Sequence, residues 1–78
     1  MNAHELSQRM AGDAAAIAQY LLPGGKRHAG EWKAGSLSGE AGQSLSVRLS
    51  GAKAGVWSDF ASGDKGDILD LWAKVRGM

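Results

Sequence analysis

Glycine is concentrated in the middle of this 78-residue chain: ten of its twelve glycines lie between residues 24 and 66. Glycine loses more backbone entropy on folding than other residues, and it is favoured where a tight turn needs a positive φ. The middle stretch is therefore expected to form short segments joined by turns, which leaves the two ends for helices. The length allows one small domain, residues 1–78, without room for a catalytic domain that has its own deep cleft.

The segment before the glycine-rich stretch has the pattern of an amphipathic helix. Its apolar side chains keep to one helical face: Leu6, Met10, Ile17 and Leu21. Asp13 is a suitable N-cap, and Pro23 followed by two glycines ends the pattern, so a helix is predicted over residues 13–22. Residues 1–12 are left open as a helix of their own or a flexible segment.

The middle of the chain has the pattern of short strands. Leu45, Val47 and Leu49 alternate with polar residues, which is typical of a strand with one buried face. Residues 31–34 are a candidate preceding strand and residues 56–60 a following one, the latter joined through a glycine-bounded loop as a hairpin. A small antiparallel sheet of about three strands is predicted within residues 31–60.

A second amphipathic helix is predicted over residues 66–76. Its apolar residues recur at helical spacing: Ile68, Leu71, Trp72 and Val75. Asp64 or Asp67 can cap its start, and basic residues in its last turn suit the helix dipole. The predicted fold class is therefore α+β, a small antiparallel sheet flanked by an N-terminal and a C-terminal helix.

Charge and composition exclude several function classes. Zero cysteines exclude disulfides and cysteine-based zinc sites, and His4 and His28 lack the partners of a nucleophilic centre. No enzyme activity and no cofactor are predicted. The net charge is only +1, but residues 26–53 hold five bases and two acids, a local excess of three positive charges.

No run of apolar residues approaches the roughly 20 that cross a bilayer, and the N-terminus lacks the basic and apolar stretches of a secretory signal. A cytoplasmic protein without membrane attachment is therefore expected.

Aromatic residues stand close to bases in this basic stretch. Trp32 neighbours Lys33, and Trp57 lies on a predicted hairpin with Arg48 and Lys53. A sheet face that presents an aromatic ring among cations can stack a base and hold its phosphate, the usual arrangement for single-stranded nucleic acid. The alternative is that both tryptophans belong to the core, since a small domain has few other large side chains to bury.

The order of several short segments points to a family. Leu21-Leu22-Pro23, then residues 32–38, the strand at 43–47, residues 55–63 and Gly66-Asp67 follow one another at defined spacing. This order resembles the N-terminal zinc-ribbon domain of bacterial and phage DNA primases, and it resembles a zinc-free subgroup found in phage- and plasmid-type primase or primase–helicase proteins. The resemblance covers about residues 13–73.

All four metal ligands of that family are replaced in this chain. Gly35, Ser38, Asp59 and Ser62 stand at the ligand positions. A structural zinc ion contributes on the order of 10 kcal/mol to the folding of zinc-finger peptides, so a metal-free domain must rely on its apolar core. The expected core is Leu45, Val47, Val56, Phe60, Ile68, Leu71 and Trp72, packed with Ile17 and Leu21.

In primases this domain grips the single-stranded template, and a separate TOPRIM-type domain makes the phosphodiester bonds. The resemblance therefore implies a non-catalytic template-binding module, with a primase or helicase catalytic domain as its protein partner. The implied contact residues are Lys26, Arg27, Lys33, Arg48, Lys53 and an exposed Trp57. The alternative is a protein-docking module that lost DNA binding together with its zinc ligands.

Overall fold

The computed structural model describes residues 2–77, except for the side chains of residues 3, 4, 7 and 8, so His4 lies outside the described side chains. The elements in chain order are α1 (Ala3–Gly12), α2 (Ala14–Leu21), β1 (Lys26–His28), β2 (Glu31–Ala34), β3 (Leu45–Arg48), β4 (Trp57–Asp59), β5 (Lys65–Gly66) and α3 (Ile68–Arg76). The strands form one antiparallel sheet in sequence order. The predicted α+β class, with helices at both ends of the chain, is confirmed.

The two N-terminal helices meet at a break around Asp13. The Asn2 side chain accepts a hydrogen bond from the Glu5 N–H at 2.8 Å, which caps α1. Asp13 was expected to cap α2, but its side chain makes no capping hydrogen bond. Asp13 still occupies the N-cap position of α2, because its carbonyl accepts from the Ile17 N–H at 3.0 Å, while its own N–H donates to the Met10 carbonyl at 3.0 Å and ends α1.

The C-terminal helix is capped at both ends. The Asp67 carboxylate accepts from the Asp70 N–H at 2.9 Å, and the Asp70 carboxylate accepts from the Asp67 N–H at 3.3 Å. These reciprocal bonds form a capping box, so Asp67 rather than Asp64 is the cap. Gly77 ends the helix in the left-handed conformation, with φ at 73°.

The three predicted strands correspond to β2, β3 and β4, and the structure adds one strand at each edge. The added strands were not predicted because neither has an alternating apolar pattern: all three residues of β1 are exposed, and β5 has only two residues. The sheet therefore extends from residue 26 to residue 66 rather than from 31 to 60.

One face of the sheet packs against the helices. Directly opposed residues share a face, and the register places Trp32 beside Val47 and Val47 beside Trp57 on the helix side. The buried hydrophobic residues are Ala14, Ala18, Leu21, Leu22, Ala34, Leu45, Val47, Leu49, Trp57, Ile68 and Leu71. We call the other surface of the sheet the outer face.

The predicted core is wrong at β4, where two expected members point to solvent. Phe60 is 82% exposed and Val56 is 43% exposed, whereas Trp57, expected on the contact surface, is only 1% exposed. Side chains alternate between the two faces along a strand, so Trp57 points to the opposite face from Val56 and Phe60. When the Trp57 face packs on the helices, the other two side chains point to solvent. The indole has the larger apolar area, and its N–H donates to the Asp67 carbonyl at 2.8 Å, so the core takes Trp57.

This orientation of β4 predicts opposite stability effects for its two aromatic residues. Trp57→Ala should lower the free energy of unfolding by about 3–5 kcal/mol, because it leaves a cavity and an unpaired carbonyl. Phe60→Ala should change it by no more than about 0.5 kcal/mol, because the ring is in solvent. Urea denaturation of both variants measures the difference, and a larger loss for Phe60→Ala would contradict this assignment of faces.

Candidate nucleic-acid interface

A row of polar and basic residues crosses the outer face from one edge of the sheet to the other. Successive register pairs place five residues side by side: Lys26, Lys33, Ser46, Ser58 and Lys65. We call this set the outer row. Four strand spacings of about 4.8 Å give it a length of roughly 19 Å. It contains three bases, two hydroxyls and no carboxylate.

An acid, Glu31, lies at a register position next to the outer row and on the same face. Glu31 lies opposite Arg48, and its carboxylate is 3.4 Å from the Lys33 Nζ and 3.9 Å from the Arg48 Nε. The Lys33 ammonium also donates to the Ser46 hydroxyl at 3.0 Å. These contacts hold Lys33 in place, while Glu31 offsets part of the positive charge at the centre of the face.

Phe60 supplies an exposed aromatic ring next to the outer row. Its N–H donates to the Ser44 carbonyl at 2.9 Å, which extends the pairing of β3 and β4 by one step. Alternation along the chain places Phe60 on the same side as Ser58, which is the outer face. With 82% of its surface exposed, the ring is free to stack on a planar ligand.

The structure brings together only some of the residues predicted for the site. Lys26, Lys33 and Arg48 share the outer face, as the sequence interpretation requires. Lys53 is exposed in the loop between β3 and β4, away from the paired strands. Arg27 lies opposite Trp32, so alternation directs it to the other side of the edge strand.

Trp57 is a correction to the predicted site, because a ring that is 1% exposed has no free face on which a base could stack. Sequence reasoning missed Phe60 and Lys65 as members of the outer face. The signal for Phe60 was present in the alternation, which separates it from Trp57. The position of Lys65 depends on a two-residue strand that no periodicity reveals.

The resemblance assigns zinc-ligand positions to Gly35, Ser38, Asp59 and Ser62; Asp59 ends β4, and the other three lie in the connections between strands. The buried Asp59 carboxylate accepts from the Ala61 N–H at 2.9 Å, and the Ser62 hydroxyl accepts from the Asp64 N–H at 3.2 Å. On the other segment, the Gly35 N–H donates to the Glu40 carbonyl at 2.8 Å. Among the side chains that the structure describes, no group of three histidines or acids is arranged to hold a metal ion.

The helical layer carries a different kind of surface. An apolar groove of about 450 Å³ is lined by Leu6, Met10, Ile17, Leu69 and Trp72. Beside it, Tyr20 stacks on Trp72 with ring centroids 5.8 Å apart, and the Arg76 guanidinium lies 5.9 Å from the Tyr20 ring centre. Tyr20 is 60% exposed, so an accessible aromatic ring also lies in the helical layer, away from the outer face of the sheet.

Comparison of the chain with protein-family models, with curated proteins and with solved structures finds no match. The resemblance to primase zinc ribbons therefore stays a prediction that depends on the motif residues. In the described part of the chain, no helix has both the length and the apolar character that a membrane crossing requires.

Because the ligand positions are occupied by turn-forming residues, folding is predicted to be independent of zinc. The Tm should be the same after dialysis against EDTA as after addition of one equivalent of zinc, within the error of a thermal melt followed by circular dichroism. A rise of several degrees with zinc would show that other groups of the chain bind the metal in the folded state.

Proposed function

We propose that this chain is a non-catalytic module that binds single-stranded DNA through the outer face of its sheet. The observation that carries the proposal is the outer row, which presents bases and hydroxyls across all five strands without a carboxylate among them. The exposed Phe60 ring next to it adds a stacking surface.

The two parts of this surface suit the two parts of a nucleotide. Lysine and arginine side chains neutralise backbone phosphates, which supplies affinity without sequence preference. An exposed aromatic ring stacks on any base and contributes about 1–3 kcal/mol per base. In a double strand the bases are stacked on one another, so a lone exposed ring favours a single strand over a duplex.

The primase resemblance supports the same proposal and extends it to a partner. In that family the corresponding domain holds the template, while another domain catalyses primer synthesis. We therefore propose a TOPRIM-type primase domain or a helicase as the catalytic partner. The weak overall charge of +1 implies modest affinity, which suits a module that works next to a second binding domain.

The second candidate function is docking to such a catalytic domain without DNA binding. The apolar groove between the helices favours it, because this groove lies in the helical layer and leaves the outer row free. The two candidates predict different results in a single titration with an oligonucleotide.

Phe60→Ala is the most direct test of the stacking surface. It should weaken binding of a fluorescein-labelled oligothymidylate by about fivefold or more, as loss of one stacked base predicts. Tyr20→Ala is the matched control, because it removes another exposed aromatic ring from the helical layer, and it should leave the affinity unchanged. Fluorescence anisotropy at low salt measures both.

Equal loss of affinity in the two variants would contradict a binding surface on the sheet. Absence of any anisotropy change with the unaltered chain, at high protein concentration and low salt, would reject DNA binding and favour the docking candidate.

Glu31→Gln should tighten binding of the same oligothymidylate, because it frees Lys33 and Arg48 from their carboxylate partner. We expect a gain of about two- to fivefold at low salt that shrinks as salt screens the charges. Glu5→Gln changes the net charge equally but lies in α1, and it should have little effect. If both variants gained affinity equally, net charge rather than the outer face would control binding.

A further inference from the structure

A basic cleft lies at the β1 edge of the sheet, where the outer row begins. It has a volume of about 300 Å³ and is lined by Lys26, Arg27, His28, Lys33, Ala41, Gly42 and Gln43. Every ionisable side chain in this lining is basic. We call this site the edge cleft.

Most cations of the edge cleft lack an ion-pair partner. Of Lys26, Arg27 and Lys33, only Lys33 has an ion pair, with Glu31 at 3.4 Å. Within the described residues, Lys26, Arg27 and His28 have no carboxylate at ion-pair distance. In addition, Lys26 lies directly opposite Lys33, and like charges in that position destabilise a strand pair. The edge cleft therefore concentrates positive charge that ion pairs within the protein leave largely unneutralised.

The far wall of the edge cleft is held by close backbone contacts. The Gly24 N–H donates to the Gly39 carbonyl at 2.7 Å, and the Gly35 N–H donates to the Glu40 carbonyl at 2.8 Å. A Cβ on Gly42 would come within 2.5 Å of the Gly35 Cα, and Gly42 has a φ of 158°. These contacts fix the loop at residues 39–43 against the strands and give the site a defined concave shape.

We propose that the edge cleft binds a phosphate dianion, of the kind carried by a phosphomonoester. The Lys26 and Lys33 ammonium groups in one concave site suit a compact dianion better than the single charge of a diester, because each can donate to a different oxygen. The phosphomonoester is either the terminal phosphate of a nucleic-acid strand or a free nucleotide or phosphate. This inference goes beyond the proposed function, because phosphate binding does not require that a single strand lies along the outer row.

The first experiment is a titration of the isotopically labelled chain with inorganic phosphate, followed by ¹H–¹⁵N correlation spectra at constant ionic strength. The backbone amides of residues 26–28, 33 and 41–43 should shift in a saturable way at millimolar phosphate. Lys26→Gln should weaken phosphate binding by about three- to tenfold, because it removes one ammonium group from the edge cleft. It should not lower the Tm, because it also removes the repulsion between Lys26 and Lys33. Lys65→Gln removes a lysine from the opposite end of the outer row and should leave phosphate binding unchanged.

The second experiment distinguishes the sources of the phosphate. Oligothymidylates with a 5′-phosphate, a 3′-phosphate or two hydroxyl ends are compared by anisotropy, with inorganic phosphate as competitor. If one phosphorylated oligomer binds more tightly than the oligomer with two hydroxyl ends, and Lys26→Gln abolishes this difference, the edge cleft is assigned to a strand terminus. Binding of inorganic phosphate with no preference among the three oligomers assigns it to a free phosphomonoester.

Two results would overturn the inference. One is the absence of saturable shifts around the edge cleft with inorganic phosphate. The other is equal weakening by Lys26→Gln and Lys65→Gln, which would reduce the effect to general electrostatics. Inorganic phosphate is titrated without DNA, so its binding to the edge cleft can be measured even if the oligothymidylate does not bind the outer face.

Discussion

Burial of the Trp57 indole is the interaction on which the rest of this structure depends. The ring lies between Val47 and Gly66 in the register, and its N–H donates to the carbonyl of Asp67, the residue that caps α3. One side chain thus joins the centre of the sheet to the start of the C-terminal helix. The same contact determines the orientation of β4, so that Ser58 and Phe60 lie on the outer face.

The remaining core contacts join the sheet to the N-terminal part of the helical layer. Helix α2 and the residue that follows it bury Ala14, Ala18, Leu21 and Leu22, and the Trp32 indole donates to the Leu22 carbonyl at 2.9 Å. Both indole hydrogen bonds thus join the sheet to a helix end, one to α2 and one to α3.

The sequence was sufficient to predict most of the fold, because the apolar patterns of the helices and of β3 are regular. It did not predict β1 and β5, which have no buried side chains of their own and depend on pairing with a neighbouring strand. For the site, alternation in β4 correctly separated Trp57 from Phe60. Alternation alone does not state which face is buried, and that choice follows from the large apolar area of the indole and its hydrogen bond to the Asp67 carbonyl.

The basic residues show the same limit of sequence reasoning. The resemblance to primases implies Lys26, Lys33 and Arg48 as contact residues, but only the strand register places them on one face. The register also adds Lys65 from a distant segment and places Glu31 among the bases. Residues paired across a sheet are far apart in the sequence. Counting charges along the chain therefore predicts that the surface is basic, but not how the charges are arranged on it.

Amide and indole shifts in ¹H–¹⁵N correlation spectra map where an oligothymidylate contacts the molecule, and this measurement tests DNA binding by the outer face most directly. We predict that the shifts concentrate on the outer row and on Phe60, while the Trp57 indole signal stays in place because it is buried against α3. Shifts concentrated on Leu6, Ile17 and Trp72 at the helical groove, or a complete absence of shifts, would contradict the claim that the outer face of the sheet binds single-stranded DNA.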